Sequence, residues 1–336
     1  MNTAHLPLVV VLSTGGTIAG RGGSTMSLSE YTAGSIEGAQ LIEAVPELKQ
    51  YARVRVEQIG NIGSSNMTFA VWRALAERIN ALFFAEPDVS GVVITHGTST
   101  LEETAYFLNL TVRHDRPVVL VGAQRPATAL SADGPLNLVN AVRIAACPES
   151  RGRGVLVALN DEINAARDAT KSNTYRAETF RSGELGFLGY VDDDKVAYYR
   201  RPEKRHTAQS EFDLKSMPTF PRVDIVYSSV EASTPLIVDA LQRDGVRGIV
   251  FAATGAGSLS DQEKDAVRRN IAQAHGTVFV RSSRVGNGRV IDRADYAELG
   301  IIPADNLNPQ KARILLMLGL ATTNDARTLR RMFAEY

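Results

Sequence analysis

Four short runs of β-branched and aliphatic residues recur through the first half of this chain, and each stops at a cluster of small polar residues. Val9-Val10-Val11-Leu12 runs into Ser13-Thr14-Gly15-Gly16-Thr17. Val92-Val93-Ile94 runs into Thr95-His96-Gly97-Thr98-Ser99-Thr100. Val118-Val119-Leu120-Val121 ends at Gly122, and Val155-Leu156-Val157-Ala158-Leu159 ends at Asn160-Asp161-Glu162. Uninterrupted apolar runs of this length fit strands buried on both faces. Between them residues recur at helical spacing: Trp72, Leu75, Ile79 and Leu82; Leu101, Ala105 and Leu108; Leu138, Val142 and Ala145. The repeated order of strand, polar end and helix predicts a parallel-rich sheet flanked by crossover helices. Ligands of such sheets sit off the carboxyl ends of the strands, so the polar clusters converge on one rim.

The alternation returns later in the chain. Val223–Tyr227, Gly248–Ala252 and Thr277–Val280 read as strands. Ser260-Asp261-Gln262-Glu263 is a capping box opening a helix that ends at His275-Gly276. Asn308-Pro309 opens another helix, and a last one runs from about Asp325 to Glu335. Between the two halves lies a charged, aperiodic stretch that includes Arg200-Arg201-Pro202-Glu203-Lys204-Arg205-His206. The expected fold class is therefore α/β, with two α/β domains: a larger N-terminal domain over residues 1–195, a linker over 196–221, and a smaller C-terminal parallel sheet with helices over 222–336.

Charge narrows the partners. Lys and Arg number 37, as do Asp and Glu, so no net field draws the chain toward nucleic acid or a membrane surface. No run is long enough to cross a bilayer. The only cysteine is Cys147, which excludes an intrachain disulfide. The five histidines form no pair at metal-ligand spacing, so no metal is expected. Neither G-x-G-x-x-G nor G-x-x-x-x-G-K-[ST] occurs, which argues against a nucleotide cofactor. The first residues lead straight into a strand without a basic stretch or small-residue cleavage site. The expectation is a cytoplasmic protein, or a periplasmic one whose leader has been removed.

The rim offers chemistry. Thr17 and Thr98 stand at two strand ends, where a threonine hydroxyl acts as a nucleophile if a base activates it. Lys171 is a candidate base if burial lowers its pKa. Backbone N–H groups around Gly97 are candidate oxyanion donors. The segment from Ala19 to Thr32 is rich in Gly and Ser and carries one aromatic, Tyr31. It reads as a loop beside the first strand end, a candidate lid. Ser99-Thr100-Leu101-Glu102 reads as a second capping box, with Ser99 as N-cap. Two readings stand at this point: acyl transfer by a hydroxyl nucleophile, and a binding protein that holds a small polar ligand without turnover.

Longer motifs carry a resemblance. Thr14-Gly15-Gly16-Thr17-Ile18-Ala19-Gly20, Asn61-Ile62-Gly63-Ser64, Ile94-Thr95-His96-Gly97-Thr98, Leu101-Glu102-Glu103-Thr104-Ala105-Tyr106-Phe107-Leu108, Ser131-Ala132-Asp133-Gly134-Pro135, Arg281-Ser282-Ser283-Arg284 and Leu307-Asn308-Pro309 follow in this order. Together they make the chain resemble the bacterial asparaginase/glutaminase family over nearly its whole length. The resemblance implies hydrolysis of a side-chain amide, of asparagine or glutamine, to a carboxylate and ammonia without a cofactor. It implies a homotetramer with sites at subunit interfaces. Thr17 matches the family's nucleophile and Tyr31 its tyrosine partner. Thr98 and Lys171 match the second threonine and its lysine. Ser64 matches the serine that holds the substrate's α-carboxylate, and Ser258 matches a position supplied by a neighbouring subunit.

Two positions depart from the pattern. Ser99 stands where the family has Asp, and Ser65 where it has Gln or Glu. In the family both positions hold the substrate's α-ammonium group. A neutral serine cannot match the charge-assisted hydrogen bond of an acid. The fold should tolerate Ser99, since Ser and Asp cap helices about equally well. Asp292 and Asp295 are the candidates for a third acid reaching over from a neighbouring subunit. The expectation is a weakened asparaginase, or an amidase or ester/lactone hydrolase whose substrate lacks a free α-amino group.

Overall fold

The structure is a computed structural model that describes residues 6–273 and 276–336. His275, expected to close a helix, and the leading residues Met1–His5 lie outside the described residues. The chain divides into two compact units, the first ending at Ser210 and the second spanning Glu211–Tyr336.

In the first unit the chain forms β1 (Leu8–Gly15), β2 (Arg21–Gly22), β3 (Tyr31–Thr32), α1 (Gly38–Glu43), β4 (Arg53–Ile62), α2 (Phe69–Ala85), β5 (Val89–Thr95) and α3 (Leu101–Thr111). It continues with β6 (Val118–Val121), α4 (Gly134–Ala146), β7 (Val155–Leu159), β8 (Glu162–Ala165), β9 (Thr170–Lys171), β10 (Phe180–Arg181), β11 (Gly189–Val191) and β12 (Val196–Tyr198). Eight of these strands form one sheet in the order β12-β11-β8-β7-β6-β5-β1-β4. The five strands from β7 to β4 run parallel. The other three join antiparallel. Val9, Val10, Val11 and Leu12 are all fully buried, as strands covered on both faces require. Val9 and Val11 pack with Leu41 of α1 and Leu138 and Val142 of α4. On α2 and α3, Trp72 and Phe107 stack with ring centroids 5.0 Å apart.

The strand order places the site. From β1 the chain passes to β4 on one side, then returns to β5 on the other side of β1. This reversal opens a crevice between the carboxyl ends of β1 and β5. Gly16 and Gly97 line it. A methyl group added at Gly16 would lie 2.2 Å from Gly97 N, and one at Gly97 would lie 2.7 Å from Ser64 Oγ. Gly16 also has φ +83°, a conformation that side chains oppose.

Several expectations need correction. The stretch 196–221 holds a sheet strand, β12, and two short 3₁₀ turns at Thr207–Gln209 and Leu214–Ser216. The three antiparallel strands β8, β11 and β12 are short, which left them without a periodic signal. The Asn160-Asp161 pair makes the tight β7–β8 connection, with φ of 53° and 63°. Ser99 does not cap α3. The N-cap is Thr100, and its side chain makes no capping bond; it donates to Ser64 O at 2.8 Å instead. Glu102 therefore faces other donors, described below.

The second unit forms β13 (Val223–Tyr227), α5 (Thr234–Arg243), β14 (Gly248–Ala253), α6 (Asp261–Ala272), β15 (Val278–Ser283), α7 (Ala294–Ala297), β16 (Ile302–Pro303), α8 (Pro309–Thr322) and α9 (Ala326–Glu335). Its strands form a parallel sheet in the order β13-β14-β15-β16. The Ser260–Glu263 capping box of α6 is complete. Asn308 and Asp325 cap α8 and α9.

Gly16→Ala tests the crevice. The new methyl meets backbone on β5's side and a strained φ on its own, so the protein should lose at least about 2 kcal/mol of stability, read from its thermal melt.

Candidate active site

The rim carries two threonine hydroxyls on neighbouring strand ends, one paired with a phenol and the other with an amine. Thr17 follows β1 in a single 3₁₀ turn and is 7% exposed. Its Oγ1 lies 2.7 Å from Tyr31 Oη. Tyr31 belongs to β3, which pairs with β2 to fold the Gly/Ser-rich segment back on itself. Gly20 lets that ring approach, since a Cβ there would fall 2.9 Å from it. The segment is tied to the stretch after β6: Ala127 N donates to Gly20 O, Gly22 N to Thr128 Oγ1, and Leu130 N to Thr25 O.

Thr98 follows β5, and Lys171 Nζ donates to its Oγ1 at 2.8 Å. Burial alone pushes the Lys171 pKa below the ordinary lysine value. The neutral amine is thus reached at lower pH than on a surface lysine. Glu102 Oε1 accepts from Thr170 Oγ1 at 3.0 Å and from Lys171 N at 3.1 Å.

Ser64 is buried beside these pairs. Its Oγ accepts from Ser99 N at 3.1 Å. Ser65 and Ser99 are exposed in the single chain. Ser258 lies in the second unit, exposed in the turn after β14, where its N–H donates to Thr254 O. The two acids considered for the α-ammonium are engaged within that unit. Asp292 accepts from Arg330 and from Arg293 N. Asp295 accepts from Lys264 Nζ at 3.2 Å and Arg293 at 3.2 Å.

The structure adds residues that the sequence did not flag. His96 is fully buried, and desolvation pushes its pKa down to about 4, so the ring is neutral. Its Nδ1 is 2.7 Å from Gly97 O and must donate, because a carbonyl only accepts. Its Nε2 then accepts from Thr104 Oγ1 at 2.9 Å, and Thr104 Oγ1 accepts from Trp72 Nε1 at 2.8 Å. This one-way chain anchors the Gly97 peptide to the α2–α3 layer. In the sequence Trp72 belongs to a helical repeat and Thr104 to a longer motif, and neither pattern shows that the two meet.

A family model described as asparaginase, N-terminal, matches residues 8–204, and one described as glutaminase/asparaginase C-terminal domain matches residues 222–333. The L-asparaginase 2 of Bacillus subtilis is 50% identical over 98% of this chain and 87% of its own length. The glutaminase-asparaginase of Pseudomonas fluorescens is 44% identical over 98% of this chain and 90% of its own. The crystal structure of a probable cytoplasmic L-asparaginase from Campylobacter jejuni superposes with TM-score 0.95 at 45% identity, covering 98% of this chain and 100% of that one.

The His96 environment has a pH signature. The unfolded imidazole takes a proton near pH 6.5 and the folded one only near 4, so stability present above that window is lost as pH falls through it. The loss should approach about 3 kcal/mol. Melts of the wild type and His96→Gln between pH 7 and 4 read it as a difference that shrinks with acid. A constant difference would contradict the neutral buried ring.

Proposed function

The chain belongs to the asparaginase family of amidohydrolases, and from that premise we propose that it hydrolyses side-chain amides of the asparagine and glutamine class through Thr17. The observation that carries the reading is the two threonine dyads, Thr17–Tyr31 and Thr98–Lys171, on strand ends pressed together at Gly16 and Gly97. In this reading Thr17 Oγ1 attacks the amide carbon and its proton passes to Tyr31 Oη as the phenolic proton moves on to the amide nitrogen. The tetrahedral intermediate collapses as the nitrogen, protonated through Tyr31, leaves as ammonia, which leaves an ester on Thr17. Thr98 and Lys171 then take a proton from water as its oxygen attacks the ester, and a proton returns to Thr17 Oγ1 as that oxygen leaves, which frees the acid product and Thr17. Backbone N–H groups near Gly97 face the oxyanion. No step calls for a cofactor.

Ser64 is the proposed α-carboxylate contact. The α-ammonium side is where this chain differs, and we propose weakened recognition there. Ser65 and Ser99 are neutral, and Asp292 and Asp295 already pair with cations of their own unit. Losing a charged contact to an ammonium costs on the order of 1.5–3 kcal/mol, or about one to two decades in affinity. The same neutrality supports the second reading, a substrate without a free α-amino group. A homotetramer with Ser258 reaching a neighbour's site completes the proposal. Its support is the exposed apolar surface of the second unit, which includes Tyr227, Val230, Leu236 and Ile237.

Ammonia release from asparagine, glutamine and succinamate tests the proposal. Thr17→Ala should lower turnover by at least about a thousandfold. Ser99→Asp should raise kcat/KM for asparagine by about tenfold to a hundredfold and leave succinamate unchanged. Ligand-induced thermal stabilisation with no ammonia from any amide would identify a binding protein instead. An asparagine rate indifferent to Ser99→Asp would remove the specificity claim.

A further inference from the structure

Lys171 reaches Thr98 from β9, a strand of two residues outside the main sheet. Its ribbon pairs Lys171 with Phe180 and Thr170 with Arg181, and it closes where the N–H and Oγ of Ser172 donate to Thr179 O at 2.8 Å. A ribbon this short is not stable alone in water. A proton-transfer partner, by contrast, must be held to within about 0.5 Å. Glu102 supplies the restraint. It sits in the first turn of α3 and is 6% exposed. One carboxylate oxygen accepts from both the side chain of Thr170 and the backbone N–H of Lys171. The segment carrying Thr98 leads directly into α3, so one helix start holds both members of the dyad: Thr98 through the chain and Lys171 through the carboxylate. Hydrogen bonds to an ionised acceptor are about twice as strong as neutral ones. The N-terminus of α3 also favours the negative charge.

We propose that Glu102 is a positioning residue for the amide hydrolysis, holding β9 so that Lys171 Nζ stays within hydrogen-bond reach of Thr98 without itself touching substrate. The inference rests on the Thr98–Lys171 role proposed above.

A double-mutant cycle on the full chain tests it, with kcat, KM and melting temperature measured for Glu102→Ala, Glu102→Gln, Lys171→Met and Glu102→Ala/Lys171→Met. A misplacement of the dyad predicts that Glu102→Ala lowers kcat by about tenfold to a hundredfold. KM should stay within about twofold, because no substrate contact is removed. Glu102→Gln keeps an oxygen acceptor and should recover most of the rate. In the Lys171→Met background the alanine substitution should cost nothing further, since its effect runs through Lys171. Equal losses in both backgrounds, or a glutamine variant as slow as the alanine one, would overturn the inference and leave the Lys171 role standing. Lys171→Met at the wild-type rate would overturn that role and the inference with it. If Glu102→Ala does not fold, Glu102→Asp takes its place: withdrawing the oxygen by one methylene must slow the enzyme and leave the Lys171→Met rate unchanged.

Discussion

Everything at the rim depends on how closely two backbones approach at the ends of β1 and β5. Gly16 and Gly97 leave no room for a methyl between them. This contact lies where the strand order reverses about β1, the place where an α/β sheet opens a crevice. Because the two glycines meet, the residues that follow them also stand side by side, Thr17 on one strand end and Thr98 on the other. A larger residue at either position would push the strand ends apart, and the two threonine dyads would face separate surfaces.

Around that contact the polar groups are supported in layers. Gly97 is held from behind by neutral His96, which is in turn held by Thr104 and Trp72. Ser64 is bolted to the same segment twice, through Ser99 N and Thr100 Oγ1. A buried polar chain of this kind is stabilising only while every member has its partner. The neutral state of His96 follows, since a charged imidazole here would be desolvated and would also lose its acceptor nitrogen. Lys171 and Glu102 meet through one strand, since Glu102 accepts from the Lys171 backbone N–H.

Much of this was legible in the residues. The strands β1, β5, β6 and β7 follow from continuous apolar runs, and Thr17 and Thr98 from the polar ends that stop them. The complete capping box at Ser260–Glu263 was legible for the same local reason. The matching box at Ser99–Glu102 was not a cap at all. Its pattern of residue types is identical, but the groups a box would join are taken by residues distant in sequence: the Ser99 N–H by Ser64 Oγ, and the Glu102 carboxylate by Thr170 and Lys171. The short strands β8, β11 and β12 escaped because three or four residues contain too few periods to distinguish a strand from a loop. The acidic candidates Asp292 and Asp295 could be named from position, but their cation partners Arg330 and Lys264 lie far along the chain.

The sequence by itself determined which residues are apolar strands, where the chain must turn, and which hydroxyls end up at strand termini, because these depend on neighbours within a few positions. It also determined that Ser65 and Ser99 are neutral, which no fold can change. Tertiary structure decided which groups meet: Thr98 with Lys171 across 73 positions, Lys171 with Glu102 across 69, and Ser64 with Ser99 across 35. It also decided the protonation of His96, because desolvation depends on what surrounds the ring in space. The reactivity of a hydroxyl or an amine is set by such surroundings, and no local period in a chain records them.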